Sequence, residues 1–301
     1  MSEVFVVGSI NQDFVLGVER RPAPGETVTD ARLATHNGGK GANQAAAAAL
    51  LGASVAFLGR VGDDGFGGPQ VRSLADKGVD TSLVQEVPGS STGTAFITVT
   101  PDGENAITVA PGANRRLSAE DVEAAAESIG EARVLVAQME IPPEVVLRAV
   151  EVATQNGTRA LVNLAPPFDV PQTLLEKLDP LVVNEHEAAF LLGESVEGVD
   201  GALEAAPRLL SLGPRSVVVT LGEDGAVFSG GESAKHLAAP PVEVVDTTGA
   251  GDAFVGALAA KLAGDASLED AVAYAVRAGA AAVIKEGAQG ALPTPEKLET
   301  L

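Results

Sequence analysis

The chain has 301 residues, 46% hydrophobic and 20% charged, a composition typical of a folded globular domain and not of a disordered or fibrous chain. Its 41 acidic residues outnumber 20 basic ones, and the formal net charge of −21 argues against nucleic-acid or anionic-membrane partners. It has no cysteine, and its histidines at positions 36, 186 and 236 are widely spaced, so disulfides, thiolate metal centres and a cysteine nucleophile are excluded. We expect a cytoplasmic protein.

Short apolar runs bounded by turn residues predict buried strands at residues 4–7, 55–58, 134–137, 160–162, 181–183 and 217–220. Ala-rich or amphipathic segments between them predict helices near residues 43–51, 67–77, 119–128, 143–155, 185–192 and 200–212, and two more near 250–262 and 268–284. This alternation indicates a single α/β domain over residues 1–301. Its doubly wound, mostly parallel sheet should carry helices on both faces.

One uncharged stretch, residues 41–59, superficially resembles a membrane span. At Gly52 it changes from an Ala-rich helical pattern to a strand-like one, which favours a buried helix followed by a buried strand. No membrane partner is therefore expected.

Two pairs of shorter strand patterns interrupt the alternation, at residues 14–20 with 27–33 and at residues 92–100 with 105–109. Turn-forming residues stand between the members of each pair, at 22–25 and 101–104. Such hairpins do not belong to a parallel sheet, so we predict a small antiparallel β lid formed by inserts at about 14–33 and 92–109. A substrate lid and an ordinary excursion without a catalytic role both fit this pattern.

The common nucleotide fingerprints, G-x-x-x-x-G-K-[ST] and G-x-G-x-x-G, do not occur. Instead, residues 246–252 (DTTGAGD) follow a strand-like segment at 242–245 and start a helix. First-turn amides lack intrahelical partners and the helix dipole favours negative charge, so Gly249, Ala250 and Gly251 are a candidate anion hole. Asp252 in the same turn is a candidate base for a hydroxyl that attacks phosphorus. The alternative is that Asp246 and Asp252 only cap the helix.

Further polar residues follow predicted strands at their carboxyl ends, where open α/β sheets bind ligands. Asn11 and Asp13 come after the first strand and suit sugar hydroxyls, and Glu140 follows the strand at 134–137. Three glycines surround Lys40 in residues 37–45 (NGGKGANQA), where amides, a lysine and Asn43 at a helix start suit a polyhydroxyl ligand close to a phosphate. Taken singly, Asn11 and Asp13 are more often turn formers than ligands, and a solvated loop residue is the default interpretation of Glu140.

Taken in order, residues 8–13 (GSINQD), 24–27 (PGET), 38–45, Asn184 with Glu187, and 246–252 resemble the ribokinase family of carbohydrate kinases, over roughly residues 4–293. The resemblance implies an α/β kinase with a β lid that transfers the γ-phosphoryl group of ATP to a primary hydroxyl of a sugar, O5 of D-ribose in the family's type reaction. A kinase for another sugar or nucleoside (2-deoxyribose, fructose or pseudouridine) remains the alternative. A catalytically silent sugar sensor should lack a base at Asp252.

The resemblance also implies residue roles. Asp252 would be the base, and the amides of Gly249, Ala250 and Gly251 the anion hole. The sugar would be held by Asn11, Asp13, Gly39, Lys40, Asn43, Glu140 and Asp252, and the nucleotide by Asn184, Thr220, Gly222, Gly225 and Gly251. Glu187 would bind Mg²⁺ through water, and K⁺ would bind the Asp246 side chain and the carbonyls of Thr248, Ala282, Lys285 and Gly287. Ala291 stands where bacterial members commonly have Ser, so one hydroxyl near the potassium position is missing. Homodimerisation through the lid is a further implication.

Overall fold

The computed structural model describes residues 2–102, 104–231 and 233–301. Its strands are β1 (Val4–Val7), β2 (Asn11–Gly17), β3 (Arg32–Gly38), β4 (Val55–Gly62), β5 (Val79–Val87), β6 (Gly93–Val99), β7 (Asn105–Ala110), β8 (Val134–Gln138), β9 (Arg159–Asn163), β10 (Leu181–Asn184), β11 (Val217–Thr220), β12 (Ala226–Ser229) and β13 (Lys235–Leu237). The α-helices are α1 (Lys40–Leu50), α2 (Gly67–Ala75), α3 (Ala119–Ala124), α4 (Ala126–Glu131), α5 (Pro143–Gln155), α6 (Gln172–Leu175), α7 (Glu185–Leu192), α8 (Gly198–Ser211), α9 (Ala250–Ala263), α10 (Leu268–Ala282), α11 (Ala288–Ala291) and α12 (Pro295–Glu299). Short 3₁₀ helices lie at Gly112–Arg116 and Gly222–Asp224.

In the described part of the chain, nine strands form the main sheet in the order β13-β12-β11-β10-β9-β8-β1-β4-β5. Neighbours from β11 to β5 pair in parallel, and only the edge strands β12 and β13 are antiparallel. Alternate side chains of the central strands enter two apolar layers. One lies under α1, α9 and α10, and the other under α3, α4, α5 and α8. The predicted α/β class, with helices on both faces of a mostly parallel sheet, is confirmed.

A separate four-stranded sheet in the order β3-β2-β6-β7 forms the small lid sheet. Its outer pairs, β2 with β3 and β6 with β7, are antiparallel, and a parallel pairing of β2 with β6 joins them. The predicted positions of its first two strands are wrong. β2 starts at Asn11, and β3 occupies Arg32–Gly38 instead of residues 27–33, because the ladder begins at the Asn11–Gly38 pair, where polar residues at 11–13 and 35–37 give no apolar strand pattern. Gly103, in the second predicted turn, lies outside the described residues.

Three weakly patterned strands escaped prediction, namely β5, β12 and β13. β5 and β13 are at the sheet edges, where polar residues replace the continuous apolar run of a central strand, whereas β12 is a buried run of only four residues next to the edge. The predicted strand at residues 242–245 is wrong. The segment has no partner strand in the sheet, Val244 and Val245 are 56% and 55% exposed, and a bond from the Val245 amide to the Val283 carbonyl holds it. The predicted helix at 119–128 is divided at Ala125 into α3 and α4.

The uncharged stretch at residues 41–59 is a buried helix followed by a buried strand, as predicted, since α1 covers the sheet and β4 lies within it. None of the helices in the described ranges combines the length and apolar character that crossing a membrane would require.

Candidate active site

The candidate site lies where the carboxyl ends of β1, β8 and β9 meet the first turns of α1 and α9. Helix α1 starts at Lys40, two residues after the end of β3, and α9 starts at Ala250. The lid sheet and the two helix starts therefore bring together residues that are more than 200 positions apart in sequence.

Glu140, just beyond β8, connects the N-terminal polar residues. Its Oε2 atom accepts hydrogen bonds from Ser9 Oγ (2.6 Å), the Lys40 amide (3.1 Å) and Asn11 Nδ2 (3.4 Å). A solvated loop carboxylate would not gather three donors from β2, α1 and the turn after β1. The structure thus brings together Asn11, Lys40 and Glu140, three of the predicted sugar residues.

Asn114, which sequence reasoning missed, fixes the orientation of Asn11. Its Nδ2 donates to Asn11 Oδ1 (2.7 Å) while its Oδ1 accepts from the Ile10 amide (3.0 Å), and it is 1% exposed. Asn11 Oδ1 is thereby occupied, which leaves Asn11 Nδ2 for Glu140 and for a ligand. A single asparagine in a short turn after the lid carries no sequence signal of such a role.

The glycines around the start of α1 are required by close packing of the protein itself. A Cβ on Gly38 would lie 2.0 Å from Oδ2 of Asp13, and one on Gly41 would lie 2.6 Å from the Ser9 amide nitrogen. Gly39 has φ +89°, a conformation that other residues adopt at a cost. These glycines let the backbone fold tightly around Asp13 and Ser9.

Asp13 and Asn43 present buried acceptors to the site. Among the described residues, neither Asp13 Oδ1 nor Asn43 Oδ1 finds a hydrogen-bond donor, although the two residues are only 7% and 5% exposed. Burial, and then the negative charges of Glu140 and Asp252, raise the pKa of Asp13 to about 7. Buried acceptors without partners are costly, so this arrangement suits a ligand that donates hydrogen bonds.

Asp252 is buried in the first turn of α9 and is held by two side-chain amides. Asn43 Nδ2 donates to its Oδ2 (2.8 Å), and Gln44 Nε2 donates to its Oδ1 (3.0 Å). Burial raises the pKa of this carboxyl, although Lys40 and the two amides oppose the shift. A raised pKa suits a general base that works near neutral pH.

Lys40 faces the carboxylates of this site with its ammonium group. Burial disfavours its charged form, but Asp252, Glu140, Glu187 and Asp13 together outweigh that effect and raise the pKa of Lys40. It therefore stays protonated and offsets part of the concentrated negative charge.

The start of α9 contains the candidate anion hole, Gly249, Ala250 and Gly251. Gly249 precedes the helix with φ +79°, and no side chain caps the first turn, although the Ala250 amide donates to the Thr247 carbonyl (3.2 Å). A Cβ on Gly251 would meet no atom within 4 Å, so the approach to this turn is open. Asp252 points to Asn43 and Gln44 and does not cap its helix, which counts against the alternative that it is only a capping residue.

Four of the five predicted nucleotide residues lie at or just after the carboxyl ends of β10 and β11, and the fifth, Gly251, lies in the first turn of α9. Asn184 and Thr220 are direct neighbours across these strands. Asn184 and Glu187 form a reciprocal cap of α7, in which the Asn184 backbone amide donates to Glu187 Oε2 (2.8 Å) and the Glu187 amide donates to Asn184 Oδ1 (2.9 Å). Burial raises the pKa of Glu187. Gly222 and Gly225 have φ +56° and +89° in the turn that follows β11.

Asp246 connects the anion-hole turn to the segment after α10. Its Oδ1 accepts from the Thr248 amide (2.9 Å) and its Oδ2 from the Gly287 amide (2.8 Å). Burial disfavours ionisation of this carboxyl, but these hydrogen bonds outweigh it, and its pKa is lowered. The structure thus unites Asp246, Thr248 and Gly287.

The other two predicted potassium ligands, Ala282 and Lys285, form no hydrogen bond with Asp246 among the described residues. The carbonyl that accepts from the Asp246 amide is that of Val283, next to Ala282, and the Lys285 side chain donates to the Gly290 carbonyl. Ala291 is buried in α11. Across residues 2–102, 104–231 and 233–301, no group of three or more His, Asp or Glu side chains is arranged to bind a metal ion directly.

Comparisons with known proteins extend over nearly the whole chain. The model of the pfkB family of carbohydrate kinases matches residues 1–295. A ribokinase from Staphylococcus aureus is 37% identical over 300 residues (99% of this chain and 98% of the relative), and a deoxyribokinase from Salmonella typhi is 36% identical over 296 residues (98% and 97%). The structure of Arabidopsis thaliana ribokinase complexed with ribose and ATP superposes with a TM-score of 0.90 at 32% identity and covers 99% of this chain and 98% of that one.

Proposed function

Because this chain belongs to the pfkB family of carbohydrate kinases, we propose that it transfers the γ-phosphoryl group of ATP to O5 of D-ribose, giving D-ribose 5-phosphate and ADP. The observation that carries the proposal is the juxtaposition of Asp252 with two buried acceptors, Asp13 Oδ1 and Asn43 Oδ1, at the open start of α9. A small molecule with several hydroxyl donors satisfies these acceptors, and the amides of Gly249, Ala250 and Gly251 suit a phosphoryl group.

The chain's own residues supply the base, the orientation and part of the charge stabilisation. Asp252 takes the proton from the attacking hydroxyl, while Asn11, Asp13, Gly39, Lys40, Asn43 and Glu140 hold the sugar. The amides at the α9 start stabilise the charge that develops on the transferring group. Protonated Lys40 offsets repulsion between the carboxylates and the phosphates.

We assign ATP to the carboxyl ends of β10 and β11, next to Asn184, Thr220, Gly222, Gly225 and Gly251. The complex of Arabidopsis thaliana ribokinase with ribose and ATP supports ATP as the donor. Glu187 fits a hydrated Mg²⁺, because its carboxylate is fixed by the cap of α7 and lies close enough to raise the pKa of Lys40. When bound, Mg²⁺ would neutralise charge on the phosphates. A kinase that consumes ATP is expected in the cytoplasm.

The potassium residues also fit their ion. Asp246 remains ionised and joins the two segments that contain the Thr248, Ala282, Lys285 and Gly287 carbonyls. A bound K⁺ would supply positive charge beside the anion-hole turn. Because Ala291 offers no side-chain oxygen, we expect activation by potassium to be measurable but modest.

The second candidate substrate is 2-deoxyribose, since the deoxyribokinase is nearly as similar as the ribokinase. Two unpaired buried acceptors favour ribose, which has one hydroxyl donor more. The test is ADP release from Mg-ATP with ribose, 2-deoxyribose, fructose and pseudouridine, each with and without potassium. We expect kcat/KM to favour ribose over 2-deoxyribose by about 100-fold or more, because a missing hydroxyl leaves a buried group unpaired. Turnover of another substrate in preference to ribose would show that ribose is not the substrate. Binding of ribose without turnover would indicate a sensor.

We also propose that two copies associate through the lid sheet. Ile107 and Val109 lie on the same face of the lid sheet as Asp13 and are 57% and 43% exposed, and a second lid sheet packed on that face would cover them. Sedimentation of the native protein tests this, and a monomer at micromolar concentration would contradict it.

A further inference from the structure

Three buried amide side chains form a continuous hydrogen-bonded chain that ends on Asp252. Gln44 in α1, Gln138 at the end of β8 and Asn163 at the end of β9 are 1%, 0% and 9% exposed. The proposed sugar and nucleotide contacts use none of them. Burying polar side chains costs free energy unless they are hydrogen-bonded, so a buried polar network directly behind the proposed base suggests a role in positioning that base.

The polarity of this chain is set by the main sheet. Asn163 Nδ2 donates to the Val182 backbone carbonyl (3.3 Å), which can only accept. Asn163 must therefore turn Oδ1 towards Gln44, and Gln44 Nε2 donates a hydrogen bond to it (3.1 Å). The second hydrogen of Gln44 Nε2 goes to Asp252 Oδ1 (3.0 Å), and Gln44 Oε1 accepts from Gln138 Nε2 (2.6 Å).

We propose that Gln44 is a positioning residue that orients the Asp252 carboxylate for proton transfer, and that Asn163 and Gln138 lock Gln44 in the orientation this requires. The inference rests on the proposed function, in which Asp252 is the base. With Gln44 on Oδ1 and Asn43 on Oδ2, the carboxylate cannot rotate, and one lone pair on each oxygen stays available to a sugar hydroxyl. A flipped Gln44 would place Oε1 against the ionised carboxylate and against Asn163 Oδ1.

The charges around Asp252 decide what the loss of Gln44 should do. Lys40 favours its ionised form, Glu140 and Asp13 disfavour it, and burial disfavours it most. Gln44 and Asn43 stabilise the carboxylate as donors. Removing the Gln44 donor therefore raises the pKa of Asp252, and a base that must be ionised then loses activity at higher pH than before.

The test compares the native enzyme with Gln44→Met, which keeps the side-chain length and removes the donor. We expect kcat to fall by about tenfold or more, the acid limb of the kcat–pH profile to move to higher pH, and the KM for ATP to change little. Asn163→Leu, which never touches Asp252, should shift the same limb in the same direction. Thr158→Val, at the opposite end of β9, removes a buried hydroxyl that donates to Ile129 and Ala132 carbonyls and should leave the profile unchanged.

A second readout does not depend on turnover. The Asp252 carboxyl is followed by ¹³C NMR against pH, assigned by its loss in Asp252→Asn, and its midpoint should rise in Gln44→Met. If the native protein phosphorylates no sugar, the proposed function fails, and the carboxyl titration still decides the positioning role. An unchanged midpoint and unchanged kcat in folded Gln44→Met would overturn the inference. If Gln44→Met does not fold, the same two measurements on Asn163→Leu decide it.

Discussion

Asp13→Asn should make the protein more stable and less active, because burial makes ionised Asp13 costly in the folded state. Its pKa rises from 3.8 to about 7 on folding, so between these values the folded protein binds more protons than the unfolded chain. By linkage, stability then falls as pH rises through this window and is constant above it. At 1.36 kcal/mol per unit the full loss is about 4 kcal/mol, of which roughly 3 kcal/mol falls between pH 5 and pH 8.

Asn at position 13 cannot ionise, so the variant escapes this loss. We expect the free energy of unfolding of Asp13→Asn to exceed that of the native protein by an amount that grows by about 3 kcal/mol from pH 5 to pH 8. Urea denaturation at several pH values measures the difference. Asp30→Asn, on the exposed segment between β2 and β3, removes one charge elsewhere and reports the effect of net charge alone.

The same variant should bind ribose about 10- to 100-fold more weakly at pH 8, since it loses a charge-assisted hydrogen bond. Calorimetry of ribose binding provides this second measurement. A stability difference that does not vary with pH would refute the argument that Asp13 is held at a raised pKa. Unchanged ribose affinity would remove Asp13 from the sugar site.

Asp252→Asn should lower kcat by several orders of magnitude while ADP affinity, measured by calorimetry, stays near the native value, because the base is lost and the phosphate contacts remain. Ribose binding at pH 7 should release protons, since a donated hydroxyl favours ionised Asp13. Calorimetry in buffers of different ionisation enthalpy detects this, and no buffer dependence would contradict it. Gly41→Ala should destabilise the protein by roughly 1–3 kcal/mol in urea, because its Cβ would lie 2.6 Å from the Ser9 nitrogen. Ile107→Asp in the lid should shift sedimentation from dimer to monomer, and a dimer that persists would place the interface elsewhere.

Much of the fold was predictable because the central strands are buried on both faces. β1, β8 and β11 read as continuous apolar runs, and no other structure explains such short runs between helices. Edge strands lack that constraint, so β5 and β13 gave no clear pattern. The position of β3 depends on its pairing with β2, which is a tertiary contact and not a local preference.

Some residues of the candidate site were likewise predictable from the sequence, and others were not. Asn11 and Glu140 stood at the ends of apolar strands, where parallel topology makes side chains converge. Gln138 and Asn163 also end buried strands, but nothing in their neighbourhood marks them as partners of Gln44. Their roles arise from hydrogen bonds that span 94 and 119 positions, which no local pattern encodes.

α1 is rich in alanine because it must pack closely against α9, which contains Asp252. A Cβ on Gly256 would lie 2.5 Å from the Ala47 methyl carbon and 2.6 Å from the Gln44 carbonyl oxygen, so the two helices approach as closely as their backbones permit. Larger residues along this contact would separate the helices, and the amides of Asn43 and Gln44 would then no longer reach Asp252 at 2.8 and 3.0 Å. The helical half of the uncharged run that superficially resembles a membrane span is thus the packing surface that holds the proposed base beside the proposed sugar site.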